Sequence, residues 1–460
     1  HPTGYPTYLL LGHVAELLPV GTVAFRANLL SAVLVAAALG VAVLIAVRLG
    51  VRPVLAAAAA LTLGGIGTVW AAATVAEVNP LHLLFAALLV HRALVWSDAR
   101  RTPDLAIGGL LLGLGVGNHL LTLTIAPFLV AFVAWTGRRA LAARPRLVAI
   151  AGGAVALGLA VYLYIPLRAA MDPPLAYNHP KAFDDVMWLV TGRQFRDQFD
   201  FLSSAGPGRA IAALPDLVAL AASRAPLIVP VLGVAGLVVL VFARPAAAAL
   251  LGSILVIGVY VWANYLRLEH YLLVPWLVIG IGVAVAFEWL ARLVTRGARA
   301  GRTRGIGPAV VVAGGAILAV LVASANWGVM DRSADRSGNA YVDEVLAALP
   351  ANTVLLSEWD VSTPLWYARL VDGRRPDVTV IDDSNIVYDG WGTREKAAAS
   401  FVCDRPVFML RLDEQALEPT RAMFRVEPVA GLRVAVGGPT ATVTRTLYRI
   451  LPGPGTACPG

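Results

Sequence analysis

Glu77, in "AEVNPLH" (76–82), is a carboxylate among apolar neighbours, followed by Asn79 and the helix-starting Pro80. A carboxylate so placed is suited to act as a general base, to bind a substrate hydroxyl, or to pair with a cation. "HPTGYP" (1–6) offers His1 and Tyr5 on a proline-stiffened turn, or else a plain loop anchor with Tyr5 and Tyr8 in an interfacial aromatic belt. "FRANLLSA" (25–32) sets Arg26 and Asn28 at the start of an apolar run. That guanidinium either snorkels to headgroups or holds a phosphate bidentately. "GVGNHLL" (115–121) places Asn118 and His119 after glycines that let backbones approach closely, and a hydrogen-bonded break between half-helices is the simpler reading. "YLYIPLRAAMDPPLAYNHP" (162–180) carries Arg168, Asp172 and Tyr177 into a proline-rich loop. "WLVTGRQF" (188–195), read as an amphipathic helix lying on a membrane, adds Arg193. "NYLRLEHYLLVPW" (264–276) gathers Asn264, Arg267, Glu269, His270 and Tyr271 between two apolar runs.

Other chemistries find no support. The chain contains no P-loop, GxSxG or HExxH motif. Its two cysteines, Cys403 and Cys458, have no Cys-x-x-Cys or His/Cys ligand spacing, which argues against a structural zinc site.

The elements that must position these groups are dictated by composition. Of 460 residues, 58% are hydrophobic and only 14% charged, with a mean hydropathy of +0.72. Soluble domains are nearer 45–50% apolar and about 25% charged, so this is an integral membrane protein. The net charge of +8 is almost all arginine and clusters between apolar runs, as membrane topology requires, rather than on a nucleic-acid-binding face. Runs long enough to span lie at about 24–48, 53–74, 79–97, 147–167, 216–242, 247–266, 270–293 and 307–327. The longer stretch 105–135 is interrupted at Gly117–His119 and reads as two short helices meeting at a polar apex.

With that pair included, alternating the spans puts five arginine clusters on one side: Arg48/Arg52, Arg100/Arg101, Arg138–Arg146, Arg244 and Arg292–Arg304. By the positive-inside rule that side is cytoplasmic. Nearly all the chemistry-bearing residues then face outward. The segment 331–460 differs in kind: "YVDEVLAALP" (341–350) and "TPLWYARLV" (363–371) read as helices, and "TVLLS", "DVTVID" and "RPVFMLRL" as strands. That alternation suggests a small extracytoplasmic α/β domain. "LSEWDVSTPLWYARLVDGRRPDVTVID" carries Glu358, Asp360, Arg374, Arg375 and Asp377, a binding site or an ordinary turn into a strand. If this domain faces an oxidising compartment, a Cys403–Cys458 disulfide is expected.

Taken together, "HPTGYPTY", "RANLLSA", "AEV" (76–78), "GNH" (117–119), "YLYIPLR" with "DPPL", "TGRQF" and "RSGNAYVDEVLAALP…PLWYARLVDGRRPDV" resemble the GT-C membrane glycosyltransferases. More narrowly, they resemble bacterial relatives of the vertebrate O-mannosyltransferase of plexin-type domains. Thr3 and "AYNHP" depart from that pattern. The resemblance implies a polytopic α-helical membrane domain over 1–330 with an extracytoplasmic α/β domain over 331–460, in a bacterial plasma membrane. It implies transfer of a mannose-like hexose from a polyprenyl-phosphate sugar to a protein or glycan hydroxyl at the outer face. A first span and an acidic residue, the expected principal base, would precede the His-Pro motif.

On this reading Glu77 and His1 are catalytic, and Arg26, Arg168 and Arg267 hold the donor phosphate. Tyr5, Asn28, Asn79, His119, Asp172, Tyr177, Arg193, Asn264, Glu269 and His270 bind substrate. The outer domain would help hold the acceptor. No cofactor is required, because arginine neutralises a monophosphate leaving group, although a divalent metal is compatible with the chemistry. Membrane lipid is a partner and nucleic acid is not. The alternatives are a polytopic lipid or sugar transporter, or a catalytically inactive membrane scaffold.

Overall fold

The computed structural model describes residues 4–176, 178–193, 203–297, 306–386, 390–411, 415–437, 442–453 and 458. From the amino end the chain forms α1 (Pro6–Glu16), α2 (Val23–Arg48), α3 (Pro53–Gly65), α4 (Gly67–Thr74), α5 (Asn79–Ala99), α6 (Thr102–Asn118), α7 (Thr122–Ala143) and α8 (Arg146–Leu159). A 3-10 turn joins α8 to α9 (Tyr164–Ala169). Then come α10 (Phe183–Val190), α11 (Gly206–Ala212), α12 (Leu214–Arg224), α13 (Ile228–Ala243), α14 (Pro245–Asn264), α15 (Leu273–Gly297) and α16 (Ile306–Met330). Proline occupies the first turn of α1, α3, α5, α6, α12 and α14. There its missing N–H breaks no intrahelical bond and its fixed φ is already helical.

Among the described residues seven helical runs are long and apolar enough to cross a bilayer, or up to nine if each of two bent pairs is one span. The chain is an integral membrane protein. Its contacts divide into two units, His1–Leu167 with Val190–Met330, and Arg168–Leu189 with Asp331–Gly460.

Three expectations for the spans need correction. The stretch 53–74 is no straight span, because α3 and α4 meet at a 72° bend. The stretch 216–242 is bent by 114° between α12 and α13, where Pro226 disfavours helical geometry at Ala225. The pair at 105–135 breaks at His119 as expected, but its members are not short: α6 has 17 residues and α7 has 22. The arginines after 137 ended the hydropathic run, yet long cationic side chains extend a helix to the interface without penalty. Similarly, the helix expected at 188–195 is α10, which ends at Val190; Gln194 and Phe195 lie outside the described residues.

Both bends are held from α16. Asn326, 5% exposed, donates through Nδ2 to the carbonyls of Gly65 (3.1 Å) and Arg224 (2.9 Å). It thereby satisfies carbonyls that the interrupted helices leave without partners. Glycine sets the tightest helix contacts elsewhere. A Cβ on Gly113 of α6 would meet backbone of Val155 and Gly158 on α8, and one on Gly109 would meet the Ala151 carbonyl. Gly236 of α13 similarly lies against the backbone of Gly282 on α15. Small residues four apart let membrane helices pack backbone to backbone, which compensates for the missing hydrophobic drive between them.

The second unit carries α17 (Ser337–Ala348), β1 (Val354–Ser357), α18 (Trp359–Leu370), β2 (Thr379–Asp382) and β3 (Val407–Arg411); the three strands lie within the expected stretches, and both helices start four residues earlier than the sequence pattern placed them. Two further strands, β4 (Phe424–Gly437) and β5 (Thr442–Pro452), complete a five-stranded sheet in the order β2-β1-β3-β5-β4. β1 pairs in parallel with β2 and β3, while β5 pairs antiparallel with β3 and β4. Cys403 and Cys458 form a disulfide. "GRRPD" (373–377) is a turn: Arg375 binds Asp377 through two nitrogens (2.9 and 2.8 Å) and donates to the carbonyls of Leu346, Leu349 and Pro350. The side chain of Asp360 lies outside the described residues.

Candidate active site

The loop Ala76–Asn79, between α4 and α5, is fixed by three asparagines from three places in the chain. Asn28 of α2 accepts the Ala76 N–H at 2.8 Å. Asn118, at the end of α6, donates to the Val78 carbonyl at 3.2 Å. Asn79, only 2% exposed, donates from Nδ2 to Glu77 Oε1 at 2.6 Å. Glu77 thus stands as a half-exposed carboxylate with one oxygen held and the backbone fixed on either side of it. The Oδ1 atoms of Asn79 and Asn118 are buried and accept no hydrogen bond among the described residues.

Aromatic and imidazole rings surround this carboxylate. The Gly4–Tyr5 turn has positive φ at both residues (77° and 40°), so Pro6 starts α1 with the Tyr5 side chain folded inward, 6% exposed. Tyr5 stacks on His119 with centroids 5.3 Å apart. Thr7 Oγ1 donates to the Leu114 carbonyl at 2.8 Å, and a Cβ on Gly117 would collide with Thr7 and Val161. Glycine there lets α1 sit down on α6. His119 also lies 5.7 Å from the His82 ring and 6.2 Å from Tyr271. Tyr271 meets His270 edge-on at 4.7 Å, and His270 Nδ1 is 4.0 Å from Glu77 Oε1. Burial, and then the neighbouring His82 and His270, push the His119 imidazole well below the ordinary histidine range, so it is neutral at neutral pH. Its Nδ1 accepts the Leu121 N–H at 3.1 Å, leaving Nε2 to carry the proton.

The structure therefore brings together Tyr5, Asn28, Glu77, Asn79, His119 and His270. It gives Asn28 and Asn79 the task of holding the Glu77 loop. The other expected site residues have different placements. Arg26 donates to the carbonyls of Glu16 (2.5 Å), Leu18 (2.7 Å) and Thr22 (3.3 Å), closing the end of α1. Arg267 pairs with Asp216 at 2.5 Å. Asn264 accepts from Arg209 at 3.0 Å. Glu269 takes two bonds from Arg224 (2.8 and 2.7 Å) and one from Thr68 (2.7 Å). In the second unit, Arg168 is exposed and donates to the Met171 sulfur at 3.6 Å, while Asp172 pairs with Lys181 at 2.5 Å. Arg193 is exposed, and His1 and Tyr177 lie outside the described residues.

Sequence reasoning gave no site role to His82 and Tyr271, which complete the ring cluster. The signal for His82 was its position three residues after Asn79, hence on the same helical face; Tyr271 simply follows His270. Arg224 carried no local signal, since its partner is 45 positions away. Among the described residues no group of three or more His, Cys, Asp or Glu side chains is arranged to hold a metal ion.

Residues 1–142 match the family described as the Protein O-mannosyl-transferase TMEM260 N-terminal domain. No curated protein matches the chain. Among solved structures, the chain is similar to ArnT from Cupriavidus metallidurans bound to undecaprenyl phosphate, at 16% identity and a TM-score of 0.51, over 99% of this chain and 89% of that one. It is also similar to the apo state of ArnT, at 14% identity and a TM-score of 0.55, over 96% and 87% of the two chains. The chain therefore shares the fold of ArnT over nearly its whole length, and its first third is similar to an O-mannosyltransferase family.

Proposed function

We propose that this chain is a membrane glycosyltransferase that moves a mannose-like hexose from a polyprenyl-phosphate sugar to a protein or glycan hydroxyl at the outer membrane face. The observation that carries the reading is the Glu77 carboxylate, held by Asn79 on a loop that Asn28 and Asn118 fix, beside Tyr5, His119 and His270. The family match and the undecaprenyl phosphate bound to ArnT support the class of reaction and of donor. The Cys403–Cys458 disulfide supports an extracytoplasmic location for the second unit.

In this mechanism the acceptor oxygen attacks the anomeric carbon and the bond from that carbon to the phosphate oxygen breaks. The electron pair leaves with the phosphate, and the hydroxyl proton passes to the Glu77 carboxylate. A positioned base of this kind contributes about 10²–10⁴ in rate. The orphaned Oδ1 atoms of Asn79 and Asn118 are acceptors for sugar hydroxyls, since a buried acceptor otherwise costs its lost hydration. Neutral His119 supports the sugar through ring contact and its Nε2 proton. For the leaving phosphate, Arg267 is the readiest cation, because its exposed pairing with Asp216 is worth about 0–1 kcal/mol and yields easily to a dianion. The proposal needs no metal.

The test is hexose transfer by the purified chain in lipid nanodiscs from a polyprenyl-phosphate hexose. Glu77→Gln should lower turnover at least about 100-fold with donor affinity retained. Wild-type turnover in this variant, with protein still folded, would remove Glu77 from the chemistry. No transfer from any polyprenyl-phosphate sugar would remove the reaction class.

A further inference from the structure

We infer a second lipid site, for an anionic glycerophospholipid, at the end of the bundle opposite Glu77. A cavity of about 740 Å³ opens where α2, α5 and α7 end and α13 passes into α14. Asn79 and Ala99, at the two ends of α5, put some 30 Å between this cavity and the Glu77 loop. Its charged lining is Arg48, Arg100, Arg138, Arg139 and Arg244 against one carboxylate, Asp98. Arginines gather at cytoplasmic helix ends for topological reasons alone. That rule does not require them to converge on one concavity, nor to leave some of them unengaged.

Three of the five have partners. Arg48 pairs with Asp98 at 2.8 Å, Arg100 donates to the carbonyls of Trp96 and Thr136, and Arg138 lies over the Trp135 ring at 4.9 Å. The side chains of Arg139 and Arg244 make no hydrogen bond or ion pair among the described residues. They face the cavity from α7 and from the α13–α14 junction. Two unengaged guanidiniums on opposing helices are the arrangement that grips a phosphodiester between them.

A second feature separates a lipid from a free anion. Between α7 and α14 lies a groove of about 600 Å³ lined by Phe128, Ala248, Gly252, Val256 and Tyr260. Phe128 and Phe132 are one turn apart on α7, and Ala247 and Ala248 adjoin on α14, so groove and cavity are neighbours along these two helices. The groove runs roughly 18 Å along α14 from Ala248 to Tyr260, and apart from Ser253 and the Tyr260 hydroxyl it is apolar. Headgroup phosphate at Arg139 and Arg244, glycerol beside Trp135, and one acyl chain in the groove use every part of this surface. A soluble phosphate or nucleotide leaves the groove empty. Basic pockets between spans on the cytoplasmic side take anionic lipid headgroups for this reason.

The experiment is native mass spectrometry of the full chain, delipidated in detergent and titrated separately with dioleoyl phosphatidylglycerol, dioleoyl phosphatidylcholine and undecaprenyl phosphate. The expected result is at least a tenfold preference for phosphatidylglycerol over phosphatidylcholine. Arg139→Gln with Arg244→Gln should weaken phosphatidylglycerol roughly 30-fold and leave phosphatidylcholine unchanged. Val256→Trp, which fills the groove and leaves every arginine in place, should weaken phosphatidylglycerol as well. Equal binding of the two phospholipids, or an arginine variant that melts like wild type and binds like it, overturns the proposal. So does full displacement by millimolar inorganic phosphate, which marks a plain anion site. Preferential undecaprenyl phosphate binding that the arginine variant abolishes overturns it too, in favour of a polyprenyl site.

Discussion

Glu269→Gln separates a structural carboxylate from a substrate-binding one. Glu269 receives two hydrogen bonds from Arg224 and one from Thr68, joining α12, α4 and the turn before α15. Hydrogen bonds to charged groups are worth about 1.5–3 kcal/mol each. The glutamine keeps one acceptor oxygen but loses the charge and one strong bond. The two side chains are 18% and 30% exposed, so water recovers part of the loss. A net cost of about 2 kcal/mol follows, a large fraction of the 5–15 kcal/mol typical of a folded domain. The thermal midpoint in detergent should fall by several degrees, while turnover measured well below that midpoint stays near wild type. Arg224→Gln should cost a similar amount, and the double variant less than the sum, because the pair is lost only once. An unchanged midpoint together with lost turnover would refute the reasoning and return Glu269 to the substrate site.

Other outcomes test the fold and its electrostatics. Gly113→Ala drives a methyl group into the α8 backbone and should cost about 1–3 kcal/mol by thermal unfolding; Gly152→Ala, with open space around it, should cost nothing. Cys403→Ser opens a link between residues 55 positions apart, for which chain entropy gives about 4 kcal/mol; proteolysis of the second unit should accelerate, and a reductant should reproduce the effect on wild type. His119 is buried with its affinity for protons lowered, so below the ordinary value of about 6.5 the unfolded chain takes up a proton that the folded chain refuses. Stability should therefore fall by about 1 kcal/mol per pH unit as pH drops below that value, and His119→Asn should flatten the dependence.

Much of the architecture was written in local pattern. A run of twenty apolar residues has few places to go, so most spans, their arginine-marked ends and the break at Gly117–His119 follow from hydropathy and charge. The same holds for the helix–strand alternation of β1, α18 and β2, where short apolar runs alternate with amphipathic ones. The antiparallel pair β4–β5 was the part of the sheet not anticipated, although "FRVEPVAGLRVAVG" and "TVTRTLYRIL" are rich in strand formers.

What only the tertiary structure decided is the choice of partners. Hydropathy measures how apolar a run is and says nothing of its direction, so the bends after Gly65 and Arg224 were hidden; Asn326, as much as 261 positions away, holds both. The sequence also marked Arg26, Arg267, Glu269, Glu77 and His119 alike, as polar groups at one membrane edge. Folding spent Arg26 on the end of α1 and Glu269 on Arg224, tied Arg267 only through an exposed pairing with Asp216, and left Glu77 and His119 together beside Tyr5. Residue type and spacing determine which groups reach the interface. Which of them remain available for chemistry depends on partners that other segments bring, and only the packed chain brings them.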